Sequence, residues 1–190
     1  MKVLLGVALF FVVVTALVWM SSLQQSSSTQ GAQQSSQPKQ TYPLTVRGVF
    51  YNSSTLTEGG TKVSIPYDFV DKNKLVFIDI GLSNPMKMLQ YQGQNVSLSL
   101  YRGGKYVPLM IFSTPSGRII ACVRACAGGS FSFRITDAKY LACDCTCGTK
   151  WNIETLIGVA GSWAGDPPLQ LPAVVTDKVE VDLTGILFGS

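Results

Sequence analysis

VSLSLYRGGKYVPLMIF, residues 96–112, reads as two strands and a turn. VSLSLY alternates apolar and polar side chains, the period of a strand with one buried face. YVPLMIF is rich in the aromatic and branched residues that fit a pleated surface. Arg102-Gly103-Gly104-Lys105 between them has the glycines of a tight connection, so the expectation is a β-hairpin.

The same rhythm continues on both sides. LTVRGVFY (44–51), LVFIDI (75–80), RIIACV (118–123), FSFRI (131–135), KYLAC (139–143) and VEVDL (179–183) are strand-like. Turn signals stand between the earlier runs at Asn52-Ser53-Ser54, Gly59-Gly60 and Ser83-Asn84-Pro85. After Gln40 only IETLIGVA, Ile153 to Ala160, suggests a short helix. The expectation is one mainly β domain over residues 41–190, an antiparallel β-sandwich or small barrel with cysteine-bearing loops. The 46% hydrophobic content is enough for one core.

Upstream, Val3 to Met20 is an almost unbroken apolar run behind Lys2. At about 1.5 Å per residue it nearly spans a hydrocarbon core of about 30 Å, so residues 1–20 are expected to form one transmembrane helix. A cleaved signal peptide is the alternative, although no A-x-A-like site precedes Ser21. Lys2 favours the cytoplasmic side, which makes this a single-pass cell-membrane protein with its domain extracytoplasmic. Residues 21–40 are Ser/Gln-rich and carry one charge, Lys39. They read as a flexible linker with a reach of about 25 Å.

Charged residues make up 14% of the chain, and a net charge of +4, scattered along it, gives no nucleic-acid footprint. Histidine is absent, which removes Ser-His-Asp and Cys-His catalysis and every His-ligated metal or cluster. These exclusions put an electron carrier or binding protein ahead of a stand-alone enzyme.

All five cysteines fall between Cys122 and Trp151, as Cys122-x3-Cys126 and Cys143-x-Cys145-x-Cys147. Glycines follow each group at Gly128-Gly129 and Gly148, where backbone N–H groups can approach sulfur. Three chemistries compete: disulfides, a zinc ion held by four thiolates, and an iron–sulfur cluster. Disulfides alone leave one thiol over. In an extended CDCTC the i to i+2 Cα spacing of about 6.6 Å also lies near the limit for a bridge. Two equivalent C-x3-C knuckles make Cys122, Cys126, Cys143 and Cys147 the expected ligands, with Cys145 as the alternative ligand. Arg118, Arg124 and Lys150 stand near these thiols in sequence and could offset thiolate charge.

The region from about Ser64 to Leu183 resembles the membrane iron–sulfur FtrD-like family. The matching pieces are Ile65-Pro66, Ser116-Gly117-Arg118, Cys122 with Cys126, Cys147-Gly148 with Trp151, and Gly161 to Leu169, which reads GSWAGDPPL. Both knuckles are one residue wider than that family's C-x2-C. The stretch also resembles a Rieske layout, with Cys147-Gly148-Thr149-Lys150-Trp151 in the place of a His-Gly-Ser-x-aromatic loop and cysteine where histidine stands. The resemblance implies an iron–sulfur centre that transfers electrons, a membrane redox or metal-transport partner, and, for an all-thiolate cluster, a low potential.

Trp151, Trp163, Pro167 and Pro168 are expected either to lid the centre or, for the tryptophans, simply to pack a core. Asn52 and Asn95 open N-x-S/T sequons and are possible glycosylation sites on an outward-facing domain. The rival reading is a non-redox surface domain braced by structural zinc or disulfides, with an adhesion or assembly role.

Overall fold

The computed structural model describes residues 41–52, 55–57 and 61–189. The expected membrane helix and linker, residues 1–40, lie outside the described residues, as do Ser53 and Ser54 of the first sequon. Among the described residues no helix is long and apolar enough to cross a membrane.

The described chain is mainly β. It runs through β1 (Thr45–Arg47), β2 (Val49–Phe50), β3 (Thr55–Thr57), β4 (Lys62–Pro66), α1 (Tyr67–Asn73) and β5 (Leu75–Gly81). Next come β6 (Met88–Tyr91), β7 (Gln94–Ser97), β8 (Tyr106–Ser113), β9 (Ile119–Val123), β10 (Phe133–Thr136) and β11 (Tyr140–Cys143). The last strands are β12 (Lys150–Asn152), β13 (Gly158–Ala160), β14 (Gln170–Leu171), β15 (Ala173–Val175), β16 (Lys178–Asp182) and β17 (Leu187–Gly189). They form four sheets, ordered β1-β10-β11-β12-β13, β14-β9-β8-β5-β2, β15-β16-β4-β3 and β17-β6-β7. All pairs are antiparallel except β2 with β5.

The sheet built on β5, β8 and β9 is covered on both faces. Val76, Ile78, Leu109, Ile111, Ala121 and Val123 point into one core with Val63, Ile65, Val179 and Val181 of β4 and β16. Their neighbours Leu75, Phe77, Met110, Phe112, Ile120 and Cys122 point into a second core with Ile135, Leu141 and Trp151 of β10, β11 and β12. Strands buried on both sides read as continuous apolar runs, which is why LVFIDI and VPLMIF show no alternation. The sandwich thus gains a third layer.

The hairpin expected across Arg102–Lys105 does not form. YVPLMIF is β8, but its partners are β5 and β9. The alternating segment pairs backward instead, β7 with β6, through a turn in which Gln92 and Gly93 take φ of 49° and 79°. Leu98 is buried, whereas Leu100, which continues the same alternation, is 72% exposed. The strand has ended by then, and Tyr101 N donates to Leu98 O in a turn.

LTVRGVFY splits at Gly48, with β1 joining β10 and β2 joining β5. IETLIGVA is not helical. Asn152 Oδ1 accepts from the N–H groups of Glu154 and Thr155, Leu156 takes φ of 57°, and the chain returns as β13 against β12. The α-helix among the described residues is α1, seven residues behind Pro66, with Asp68 in its first turn and Lys72 in its last. It is too short for a periodicity to announce it.

Candidate metal centre

Two loops at one end of the second core carry the thiols. The first leaves β9 at Val123, and Cys126 closes a tight turn within it, Gly129 N donating to Cys126 O (2.8 Å) and Cys126 N to Ser130 O (2.8 Å). The second begins where β11 ends at Cys143 and bends through Asp144 to Cys147. The loops are tied together by Asp144 N donating to Ser132 O (2.8 Å), and the second loop is closed by Cys143 N donating to Thr149 O (3.0 Å).

The sulfurs of Cys126, Cys143, Cys145 and Cys147 all lie within 4.8 Å of one another. Cys126 and Cys143 are buried, and Cys145 and Cys147 are half-buried. The outer two are joined as a disulfide with a Cα separation of 5.3 Å. The bend at residues 144–147 shortens this separation below that of an extended strand, which removes the geometric objection to a neighbouring bridge.

The structure therefore replaces one member of the expected ligand set. Cys122 lies outside the group and Cys145 within it. Cys122 sits on β9 opposite Met110 and Gln170, fully buried in the second core, and burial pushes its thiol pKa up. Its pleat position fixes it in the sheet, while Cys126 is carried out on the following loop, so the C-x3-C spacing does not make a knuckle.

The four remaining sulfurs fit one metal ion. A tetrahedral zinc thiolate with bonds of about 2.3 Å has edges of about 3.8 Å. The four thiols, with the outer pair reduced, need to close by at most about an ångström from their 4.8 Å limit to reach it. Thr149, itself fully buried, donates its hydroxyl to Cys147 Sγ at 3.1 Å, and Trp163 N donates to Thr149 Oγ1 at 3.3 Å. Burial, reinforced by Cys126 at hydrogen-bond distance, pushes the Cys143 thiol up to about 12. Metal must displace that proton to bind.

The other expected residues separate. Trp151 is no lid: it is fully buried in β12, near Phe133, and its Nε1 donates to Ala164 O (3.2 Å). Pro168 is buried as well. Trp163 and Pro167 do reach the rim. A Cβ at Gly128 would lie 2.9 Å from Trp163 Nε1 and 3.9 Å from Cys147 Sγ, so glycine there lets the indole lie against the first cysteine loop. Pro167 lines a cleft of about 520 Å³ beside Cys126, together with Leu100, Phe131 and Asn95. Gly161, with φ of 93°, brings the third loop so close to Thr149 that a Cβ would fall 2.3 Å from its Cα. Asn52 and Asn95 are both exposed.

Arg124 is turned to a different task from the one its position suggested. It is 3% exposed and donates to Asp79 Oδ1 (2.7 Å), Tyr101 Oη (2.6 Å), Leu109 O (3.3 Å) and Phe131 O (2.5 Å). It thus braces both ends of the loop that carries Cys126. Arg118 donates to Glu154 O, and Lys150 Nζ lies 5.9 Å from the centre of the Tyr140 ring. Sequence reasoning passed over Asp79 and gave Thr149 no task beyond its place in the loop motif. Asp79 had a signal, as the lone charge in LVFIDI, since a carboxylate in a buried strand requires a partner.

No family model, curated protein or solved structure matches the chain. Its function has to be argued from the sulfurs and their surroundings.

Proposed function

We propose that the domain is a tetrathiolate metal centre in which Cys126, Cys143, Cys145 and Cys147 hold one ion, and that with iron as that ion it carries single electrons. The reading keeps Val3–Met20 as a membrane anchor and a membrane redox or metal-handling protein as partner. The observation that supports it is the spacing, four sulfurs all within 4.8 Å of one another. A cluster sets its own irons and sulfides between its ligands and so calls for a wider frame than a single ion does. Bound iron supplies a one-electron couple. The chain's residues hold the sulfurs, bury two of them, donate the Thr149 hydroxyl to a third, and leave Cys145 and Cys147 half-exposed for transfer at the surface. Four thiolates carry more negative charge than a histidine-bearing set and so favour the ferric over the ferrous ion.

A second reading is a structural zinc in a surface domain with an adhesion or assembly role. It is favoured by the way the four cysteines join the loop after β9 to the loop after β11. Metal analysis and paramagnetic resonance of the reduced, anaerobically prepared full chain decide between the two. About one iron per chain without acid-labile sulfide supports the electron carrier. Labile sulfide restores the cluster, stoichiometric zinc selects the brace, and a chain that binds neither metal overturns both.

A further inference from the structure

We propose that Cys145 and Cys147 are a thiol–disulfide exchange site, whose substrates are disulfides and dithiols and whose two states exclude and admit the metal. The inference rests on the tetrathiolate reading above. It is carried by one coincidence: two of the four grouped sulfurs are bonded to each other in this structure. The same two atoms cannot also serve as thiolate ligands. In the disulfide state only Cys126 and Cys143 remain, and two thiols do not complete a tetrahedron.

Access favours the outer pair. Cys145 and Cys147 are half-buried, with Asp144, Thr146 and Gly148 exposed around them, whereas Cys122, Cys126 and Cys143 are buried. The Thr149 hydroxyl points at Cys147 Sγ, so Cys147 is the sulfur whose developing negative charge is supported when the bridge opens. A substrate thiolate then attacks Cys145 Sγ, forming a mixed disulfide and releasing Cys147 as thiolate. The second substrate thiol attacks the mixed disulfide, leaving as the oxidised product and freeing Cys145. The sum is dithiol plus the Cys145–Cys147 disulfide giving substrate disulfide plus two cysteine thiols. In reverse, a disulfide oxidant takes two electrons from the metal-bound thiolates and leaves as two thiolates. Cys145 and Cys147 rejoin, the divalent ion departs, and Cys126 and Cys143 take up protons.

The test uses the full chain, anaerobically, with dithiothreitol as reductant, cobalt(II) as the metal probe and oxidised glutathione as oxidant. Reduction is expected to open one disulfide, mapped by alkylation to Cys145 and Cys147, and the reduced chain to take up about one cobalt with thiolate-to-cobalt absorption. Oxidised glutathione should abolish that absorption, release two glutathione thiols per cobalt lost, and return the bridge to Cys145–Cys147. Cys122→Ala should reproduce the whole cycle. Thr149→Val should slow reduction several-fold, and Thr149→Ser should restore the rate. Cobalt retained after the bridge has re-formed overturns the proposal while sparing the metal reading, as does a bridge mapped to Cys126–Cys143. A reduced chain that exchanges disulfides but takes up no cobalt overturns the tetrathiolate reading and the coupling with it.

Discussion

On one face of the central sheet Ile78, Leu109, Ile111 and Val123 meet the valines and isoleucines of β4 and β16. On the other, one residue along the same strands, Phe77, Met110, Phe112 and Cys122 meet Phe133, Trp151, Cys126 and Cys143. The first interior is mostly aliphatic, with Tyr91 buried in it and Tyr51, Tyr67 and Phe69 packed against it. The second is aromatic and sulfur-bearing, and it ends at the half-exposed pair Cys145 and Cys147. Because the pleat sends successive side chains to opposite faces, a single strand can serve cohesion with one set of residues and chemistry with the other. Damage to metal binding on one face should therefore not follow from damage on the other.

The largest expected effect is on the sulfur-bearing face. Trp151→Ala removes a fully buried ring and its hydrogen bond to Ala164, and should cost about 3–5 kcal/mol in chemical denaturation. It should also weaken metal retention, because Ala164 belongs to the loop that holds Trp163 near the thiols. The mirror substitution, Ile111→Ala, should cost about 2–5 kcal/mol yet leave metal stoichiometry in the folded fraction unchanged. Loss of metal in that variant would break the comparison.

Alkali should separate the faces by charge. The Cys143 thiol is raised from 9.0 to about 12 in the folded state. Its contribution is therefore complete below about pH 9 and is lost progressively as pH climbs toward about 12. Cys122, raised by the same burial, acts in the same direction. The metal-bound chain, whose ligands are already ionised, should show a shallower decline in denaturation midpoint than the metal-free chain. Equal slopes would show that Cys143 is not a ligand. The smallest effect in stability is expected for Trp163→Ala, within about 0.5 kcal/mol, since that ring is 40% exposed. A chelator should nevertheless strip metal from it several-fold faster than from the unaltered chain.

The apolar strands β5, β8 and β9, with β10, β11 and β16, were legible from composition; their partners were not, nor were short strands such as β3, β6, β12 and β13. VSLSLY and YVPLMIF are neighbours in sequence with glycines between them, yet β8 is drawn into the middle of a sheet where both its faces are buried, and no local turn preference competes with that burial. The cysteine window was legible as a site because its residue types have few other uses in so short a span. Its ligand set was not, because spacing reports distance along the chain while the pleat decides direction. Cys122 and Cys126 are four apart, but one is in a strand and the other is on a loop. Arg124 showed the same limit, since its partner Asp79 lies 45 positions away.

The split at Gly48 has a mechanical side. The chain enters the domain through β1, hydrogen-bonded to β10 in the outer sheet, and two residues later through β2, hydrogen-bonded to β5 in the central one. A pull arriving along the segment before residue 41 is first borne by the β1–β10 ladder and then by the β2–β5 ladder. β10 starts where the first cysteine-bearing loop ends and pairs with β11, which ends at Cys143, so the first ladder to bear the load is the one that flanks both sulfur-bearing loops. Tension on the entry strand is thus coupled, through two neighbouring ladders, to the place where the thiols sit.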